Sequence, residues 1–228
     1  MIRIVSGPLS YILNFIYPPS CLVCDGLMKA HEKMICHACW SSLHRVEGKV
    51  EKGIIVRSDI DEIRSGFYYD DVFQKVIHHF KYQRAIMLAE KFAEILSDII
   101  LNDAHWRRSD LLVPVPLHAV KKRERSYNQA DEISKRLSRL VNIPFRNDIL
   151  KRVVNTVSQT KMPTAADRVK NMNDVFSLLD TRAVQGKQII LLDDLITTGA
   201  TANSCAAVLK QAGAQGVLVL TAARPMLE

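Results

Sequence analysis

No stretch of this 228-residue sequence is apolar for long enough to span a membrane. The most apolar candidate, at the start, is interrupted by Ser6, Gly7, Pro8, Ser10 and Asn14. That start also carries little charge and no A-x-A cleavage pattern, so no secretory leader is read from it. Residues 1–17 are expected to form a short amphipathic helix, with Leu9, Ile12, Leu13 and Ile16 on one face and Pro18-Pro19 ending it. Its polar face is poor in Lys and Arg, which favours packing on the protein over association with a membrane. Cysteine is sparse too, and four of the five residues fall before residue 40 in two C-x-x-C pairs. The expected compartment is a reducing cytoplasm, where paired cysteines hold metal more often than they form disulfides. Finally, nothing in the chain marks out a pocket for a nucleobase.

What remains is an ordinary globular composition, 48% hydrophobic and 24% charged, sufficient for one sizeable core and a small appended module. The formal net charge of +7 points to an anionic partner without choosing between nucleic acid and a phosphorylated metabolite.

The cysteine pairs are Cys21-Leu-Val-Cys24 and Cys36-His-Ala-Cys39, separated by eleven residues. Two thiolate pairs on turns can place four sulfurs tetrahedrally around Zn²⁺, and in so small a module the metal takes the place of a hydrophobic core. Four thiolates close the coordination sphere, so this zinc is read as structural, and His37 as a bystander.

The most informative stretch is QIILLDDLITTGATANSCAAVLKQA, residues 188–212. A buried strand runs into two carboxylates, Asp193 and Asp194, followed by a loop of small residues (Thr197, Thr198, Gly199, Ala200, Thr201) and an apolar rhythm at helical spacing through Ala202, Cys205, Ala206 and Leu209. A small-residue loop entering a helix offers N–H groups without intrahelical partners to a phosphate. Glycine allows close approach, and threonines add hydroxyls. Adjacent carboxylates repel phosphate, but they suit sugar hydroxyls or a hydrated Mg²⁺. The ligand so described is a ribose 5-phosphate. Cys205 reads as a small core residue.

Elsewhere, a polar stretch from Trp40 to Ser65 is expected to form edge strands, 66–70 a strand, and Val72 to Phe80 a helix ending at Lys81-Tyr82-Gln83. A second helix is expected over 84–101, with His78 and His79 at a helix surface. A buried strand from Asp110 stops at Pro114 and Pro116 and is followed by the basic run Lys121-Lys122-Arg123-Glu124-Arg125, then a helix to about Leu140. Cations beyond the carboxyl end of a strand lie where open α/β sheets bind ligands, and arginine's fork suits pyrophosphate. Ile149 to Val154 reads as strand leading into a long polar loop, a feature that is often functional inside a compact domain. Strands at 175–179 and 216–222 complete the pattern.

The 188–212 unit resembles the signature of the type I phosphoribosyltransferases, which bind phosphoribosyl pyrophosphate. Further motifs resemble the ComF family of competence-associated, phosphoribosyltransferase-like proteins: the two C-x-x-C pairs, H-H-F-K-Y-Q (78–83), V-P-V-P-L-H (113–118), R-x-R-S-Y-N-Q-A (123–130), and Thr156, Gln159, Thr160, Arg168 and Asn171. The match is ordered along nearly the whole chain. It departs at Ser126, where the family commonly has glycine. The resemblance implies an α/β fold: a type I phosphoribosyltransferase-like parallel sheet flanked by helices over residues 49–228, preceded by a small four-cysteine zinc-binding module over 1–48.

It also implies a chemistry, displacement at ribose C1 with pyrophosphate leaving, and a pentosyltransferase whose acceptor is unidentified. Asp193 and Asp194 would hold the ribose hydroxyls and Mg²⁺, residues 197–201 the 5-phosphate, and Lys121, Arg123 and Arg125 the pyrophosphate. The loop carrying Thr156, Gln159, Arg168 and Asn171 would act as a lid, with Lys151, Arg152 and Arg168 reaching the pyrophosphate. Arg152 joins the acidic pair as a candidate catalytic residue. Two other readings stay open. One is a non-catalytic module that binds single-stranded DNA during natural transformation and passes it to a helicase and recombination proteins, with Tyr82 and Tyr127 available to stack on bases. The other is a regulator that senses phosphoribosyl pyrophosphate.

Overall fold

A computed structural model describes residues 19–30, 32–48, 59–83, 85–153 and 175–226. The expected N-terminal helix and the lid residues Thr156, Gln159, Thr160, Arg168 and Asn171 lie outside them. The apolar runs Leu111–Pro114 (β2), Gln188–Leu195 (β5) and Gly216–Arg224 (β6) join Glu62–Tyr68 (β1) in one sheet. Its order is β1-β6-β5-β2, and every pairing is parallel. Near-continuous burial is what a parallel sheet covered on both faces requires, and all nine residues of β6 are buried.

Side-chain alternation divides the core between two faces. Leu112, Ile190, Leu192, Leu218 and Leu220 face the helices Asp71–Tyr82 (α2), Leu88–Leu101 (α3) and Gln129–Val141 (α6). Val113, Ile189, Leu191, Val217 and Val219 face Ala200–Gln211 (α7) and the antiparallel pair Leu150–Arg152 (β3) and Phe176–Leu178 (β4). The short helices are His37–Ser41 (α1), Ala104–Arg107 (α4) and Ala119–Arg125 (α5).

Three expectations are corrected. β1 begins at Glu62, inside the stretch expected to be polar edge, and ends at Tyr68. Its charges are met locally: Arg64 pairs with Glu62 and Asp103 and lies 5.3 Å from the Trp106 ring centroid. The basic run, expected between the strand and the next helix, is itself helical: His118 caps α5 by accepting from the Val120 N–H at 3.3 Å. β3 and β4 form a separate antiparallel ribbon outside the parallel sheet.

The zinc segment is packed into the first face of the core. Cys21, Val23, Ile35, Cys39 and Leu43 share its hydrophobic cluster with Phe67, Phe73 and Phe92. Trp40 meets Phe92 edge-on at 5.9 Å. Just beyond, the Tyr68 N–H donates to the His44 carbonyl at 2.9 Å and the Val46 N–H to that of Gly66 at 3.1 Å, so this segment pairs along the open edge of β1.

Candidate functional site

The four Sγ atoms of Cys21, Cys24, Cys36 and Cys39 lie within 4.8 Å of one another. Tetrahedral Zn–S bonds of about 2.3 Å require S···S edges of about 3.8 Å, and Cys24 and Cys36 stand 3.8 Å apart. The N–H groups of Val23 and Cys36 donate to Cys21 Sγ at 3.4 and 3.3 Å. Those bonds help hold the Cys21 thiol down to about 7, against the upward pull of burial. Burial, followed by hydrogen bonds with the neighbouring sulfurs, pushes Cys39 up. His37 is exposed and outside the cluster, within 3.4 Å of Ser41 Oγ. This donor set fits a structural zinc.

The second constellation sits at the carboxyl end of β5. The strand continues through the acidic pair to Leu195, and consecutive strand residues face opposite ways. Asp194 follows Leu192 onto the α2 face, where Lys81 Nζ meets its Oδ2 at 2.9 Å. Asp193 belongs to the other face, within the electrostatic reach of Arg152 and the buried thiol of Cys205. The Asp194 N–H donates to Asp193 Oδ1 at 2.8 Å. Burial and then the charge of Asp194 push the Asp193 carboxyl up to about 7, opposed by that N–H, Lys81 and Arg152. Burial, then Asp193, raises the Cys205 thiol, so it is an inert core residue. Asp194 thus has a close cation in Lys81, whereas Asp193 has none at ion-pair distance among the described residues.

The raised carboxyl has a stability consequence. The folded chain holds the Asp193 proton more tightly than the unfolded chain does, so stability is full below the ordinary carboxyl range and falls as pH rises through about 7. Asp193→Asn removes that penalty. Thermal melts of the metal-free site should show the variant gaining roughly 1–3 kcal/mol at pH 8 and nothing at pH 4. An equal shift at both pH values would contradict the assignment.

The loop after β5 exposes Thr197 and Thr198 and buries Gly199, whose φ of 73° is in the left-handed region. Gly199 is the N-cap of α7, its carbonyl accepts from the Asn203 N–H at 2.8 Å, and Thr198 Oγ1 accepts from the Ala200 N–H at 3.4 Å. Ala200 and Thr201 form the helix's first turn, so this segment presents a helix N-terminus beside the carboxylates.

The expected pyrophosphate cations divide. Lys121 and Arg123 are exposed on α5. Arg125 turns away: it lies 5.4 Å from the Tyr82 ring centroid, and its Nη1 donates to Gln129 Oε1 at 3.3 Å. A cleft of about 280 Å³ between the end of β2, α5 and β3 is lined instead by three cations, Lys122, Lys151 and Arg152, and one carboxylate, Asp131, with Asn128 and Asn147. Arg152 is half-buried with its guanidinium 5.4 Å from the Phe176 ring centroid. Sequence reasoning passed over Lys122 and Lys81. Lys122 could have been found from its place in the basic run, whereas nothing local ties Lys81 to Asp194. Tyr127 is half-buried, with its hydroxyl donating to the Phe80 carbonyl, and burial pushes that hydroxyl up to about 12. It is a core contact rather than a stacking platform.

Ser126, the departure noted above, ends α5 with φ 70°, a conformation glycine adopts without strain. Ser126→Gly should stabilise the chain by about 0.5 kcal/mol net of its added unfolded-state freedom, a rise in midpoint of about 1–2 °C. A fall in the midpoint would show that the serine side chain contributes more than its strain costs.

Residues 12–50 match the family model for a double zinc ribbon domain, and the four cysteines there make one metal cluster. Competence protein F of Haemophilus influenzae is 33% identical over 162 residues, covering 69% of this chain and 70% of the relative. The chain belongs to the ComF family. Competence protein ComFC of Bacillus subtilis is 24% identical over 234 residues, covering 85% and 89% of the two chains. DNA utilization protein YhgH of Escherichia coli is 29% identical over 157 residues, covering 66% of each. Among solved structures, the ComF chain is similar to a glutamine phosphoribosylpyrophosphate amidotransferase from B. subtilis (TM-score 0.41, 19% identity, 58% of this chain and 25% of that one). It is also similar to an adenine phosphoribosyltransferase from Leishmania donovani (TM-score 0.39, 10% identity, 63% and 67%). No helix among the described residues is long and apolar enough to cross a membrane.

Proposed function

We propose that this ComF-family protein binds phosphoribosyl pyrophosphate with Mg²⁺ at the carboxyl end of its parallel sheet and serves in the handling of DNA during natural transformation. The observation that carries the ligand assignment is the juxtaposition of Asp193 and Asp194 with the helix N-terminus at Gly199–Thr201. Anion donors and hydroxyl acceptors side by side match a sugar phosphate. Relatives named for competence and for DNA utilization support the biological role.

In this reading the 5-phosphate lies on the N–H groups and hydroxyls of residues 197–201, and Asp193 and Asp194 accept from the ribose hydroxyls. Lys122, Lys151 and Arg152, with Lys121 and Arg123 beyond them, meet the pyrophosphate. Asp193 and Asp194 would hold Mg²⁺, which would supply neutralisation of charge on the departing pyrophosphate. The chain's own task is positioning and exclusion of water, and no covalent nucleophile is needed. Titration calorimetry of phosphoribosyl pyrophosphate with Mg²⁺ into the zinc-loaded protein tests the assignment. Saturable binding supports it, and no binding by a folded protein overturns it.

One observation favours the single-stranded DNA reading alongside it. Tyr82 is 57% exposed, with the Arg125 guanidinium near one side and the His78 ring 5.2 Å from its centroid. An exposed ring beside a guanidinium is a platform on which a base can stack, and the net charge of +7 would add salt-sensitive phosphate contacts. A helicase and recombination proteins are the partners this reading implies. Its discriminating measurement is fluorescence anisotropy of labelled oligonucleotide with wild type and Tyr82→Ala, whose affinities should differ about tenfold.

A further inference from the structure

A lysine usually keeps its ammonium in water. Lys81, in the last turn of α2, does not: its side chain is 15% exposed and its Nζ lies 2.9 Å from Asp194 Oδ2, itself 12% exposed. The position is held by two bonds on the preceding residue. The Phe80 carbonyl accepts from the Tyr127 hydroxyl and from Gln129 Nε2, the latter at 3.3 Å. Gln129 and Tyr127 belong to the start of α6 and the turn before it, so the end of α2 is tied to the segment that follows the basic helix. Phe80 is itself fully buried, which leaves this turn little freedom to swing Lys81 elsewhere.

The two carboxylates are consequently unequal. Asp194 already has a cation, and Asp193, on the other face, has none in such contact among the described ion pairs. A divalent ion approaching the pair meets at most one net negative charge rather than two, and must displace Lys81 to use Asp194.

We propose that Lys81 is a built-in counter-cation of the acidic pair, competing with divalent metal for Asp194 so that free Mg²⁺ is excluded from the empty site. Resting on the function proposed above, metal then enters together with a polyphosphate ligand, whose negative charge compensates for displacement of the ammonium. Lys81 is thus a positioning residue that couples the H-H-F-K-Y-Q segment to β5.

The test uses Mn²⁺ alone as the probe, followed by the loss of free-ion spin resonance signal on binding to the zinc-loaded full chain. Wild type should bind it weakly, and Lys81→Met at least tenfold more tightly. Lys81→Met combined with Asp194→Asn should lose that gain. If Lys81→Met does not fold, Lys81→Gln, which removes the charge but keeps a donor, should show the same gain. Equal Mn²⁺ affinity in wild type and the folded neutral variant overturns the proposal. Titration of wild type with phosphoribosyl pyrophosphate separates the two claims. Failure there, with the Mn²⁺ gain intact, sinks the ligand assignment and leaves the role of Lys81 standing. Ligand binding with no Mn²⁺ gain does the reverse.

Discussion

Replacing Asp193 and Asp194 together by asparagine is expected to abolish binding of phosphoribosyl pyrophosphate while leaving the chain folded. Asparagine has nearly the shape of aspartate, so the buried run Ile189–Leu192 and its pairing with Leu218–Leu220 have no reason to move. The energetic changes partly cancel. Asp194→Asn leaves Lys81 without its anion in a mostly buried place, a cost. Asp193→Asn removes a carboxylate whose charged form is disfavoured by burial and by Asp194, a gain. On the proposed function, what would be lost outright is two charge-assisted acceptors for the sugar hydroxyls and the negative charge that would attract metal. At about 1.5–3 kcal/mol for each charged hydrogen bond, the loss is about 3–6 kcal/mol, roughly a 10²- to 10⁴-fold weaker complex. Calorimetry reads the affinity, and circular dichroism checks the fold. Binding retained within a few-fold by the folded double variant would show that the acidic pair does not hold the ligand.

Stripping the zinc is expected to unfold the α/β domain together with the cysteine module. A structural zinc contributes about 10–16 kcal/mol to small peptides that fold around it, comparable with the whole stability of a typical domain. A module with its own boundary would lose that alone. Here Cys21 and Cys39 sit in the same hydrophobic cluster as Phe67, Phe73 and Phe92, and the segment after the module is hydrogen-bonded along β1. Releasing the metal therefore uncovers one face of the sheet and its edge strand. The two tryptophans provide the readout. Trp40 lies against Phe92, whereas Trp106 is fully buried and its indole N–H donates to Glu62 Oε1 on β1 at 2.9 Å. In a Trp40→Phe variant, chelation should shift the emission of Trp106 to the red and lower the thermal midpoint by more than 10 °C, about 3 kcal/mol or more for a chain of this size. An unmoved Trp106 signal after complete zinc loss would show an autonomous module.

Much of this was written locally. Four cysteines at close spacing carry their own metal chemistry, and their convergence needs only two turns and a short connection. The strand, acidic pair, glycine loop and helix of 188–212 follow one another in the chain, so apolar run, φ demand and helical rhythm can each be read from neighbours. The parallel class of sheet follows as well, because runs such as Ile189–Leu192 are too uniformly apolar for a sheet with one wet face.

The rest depended on residues far apart in sequence. Glu62 and Arg64 look like loop residues until Asp103 and Trp106 are brought beside them to neutralise and cover their charge. Arg125 carries the same charge as Arg123, and only the placement of Tyr82 and Gln129 turns it from the cleft. Tyr127 looks equally suited to stacking and to packing, and the Phe80 carbonyl decides for packing. Lys81 and Asp194 stand in different elements, and no spacing rule relates them. Adjacent residues were enough to specify the four-cysteine site, the glycine loop entering α7 and the layered α/β class, since each arises from the preferences of neighbours in the chain. The tertiary structure alone decided which cation faces which carboxylate and that the zinc segment shares the main core. Burial and Coulomb energy depend on distances that only the folded chain sets.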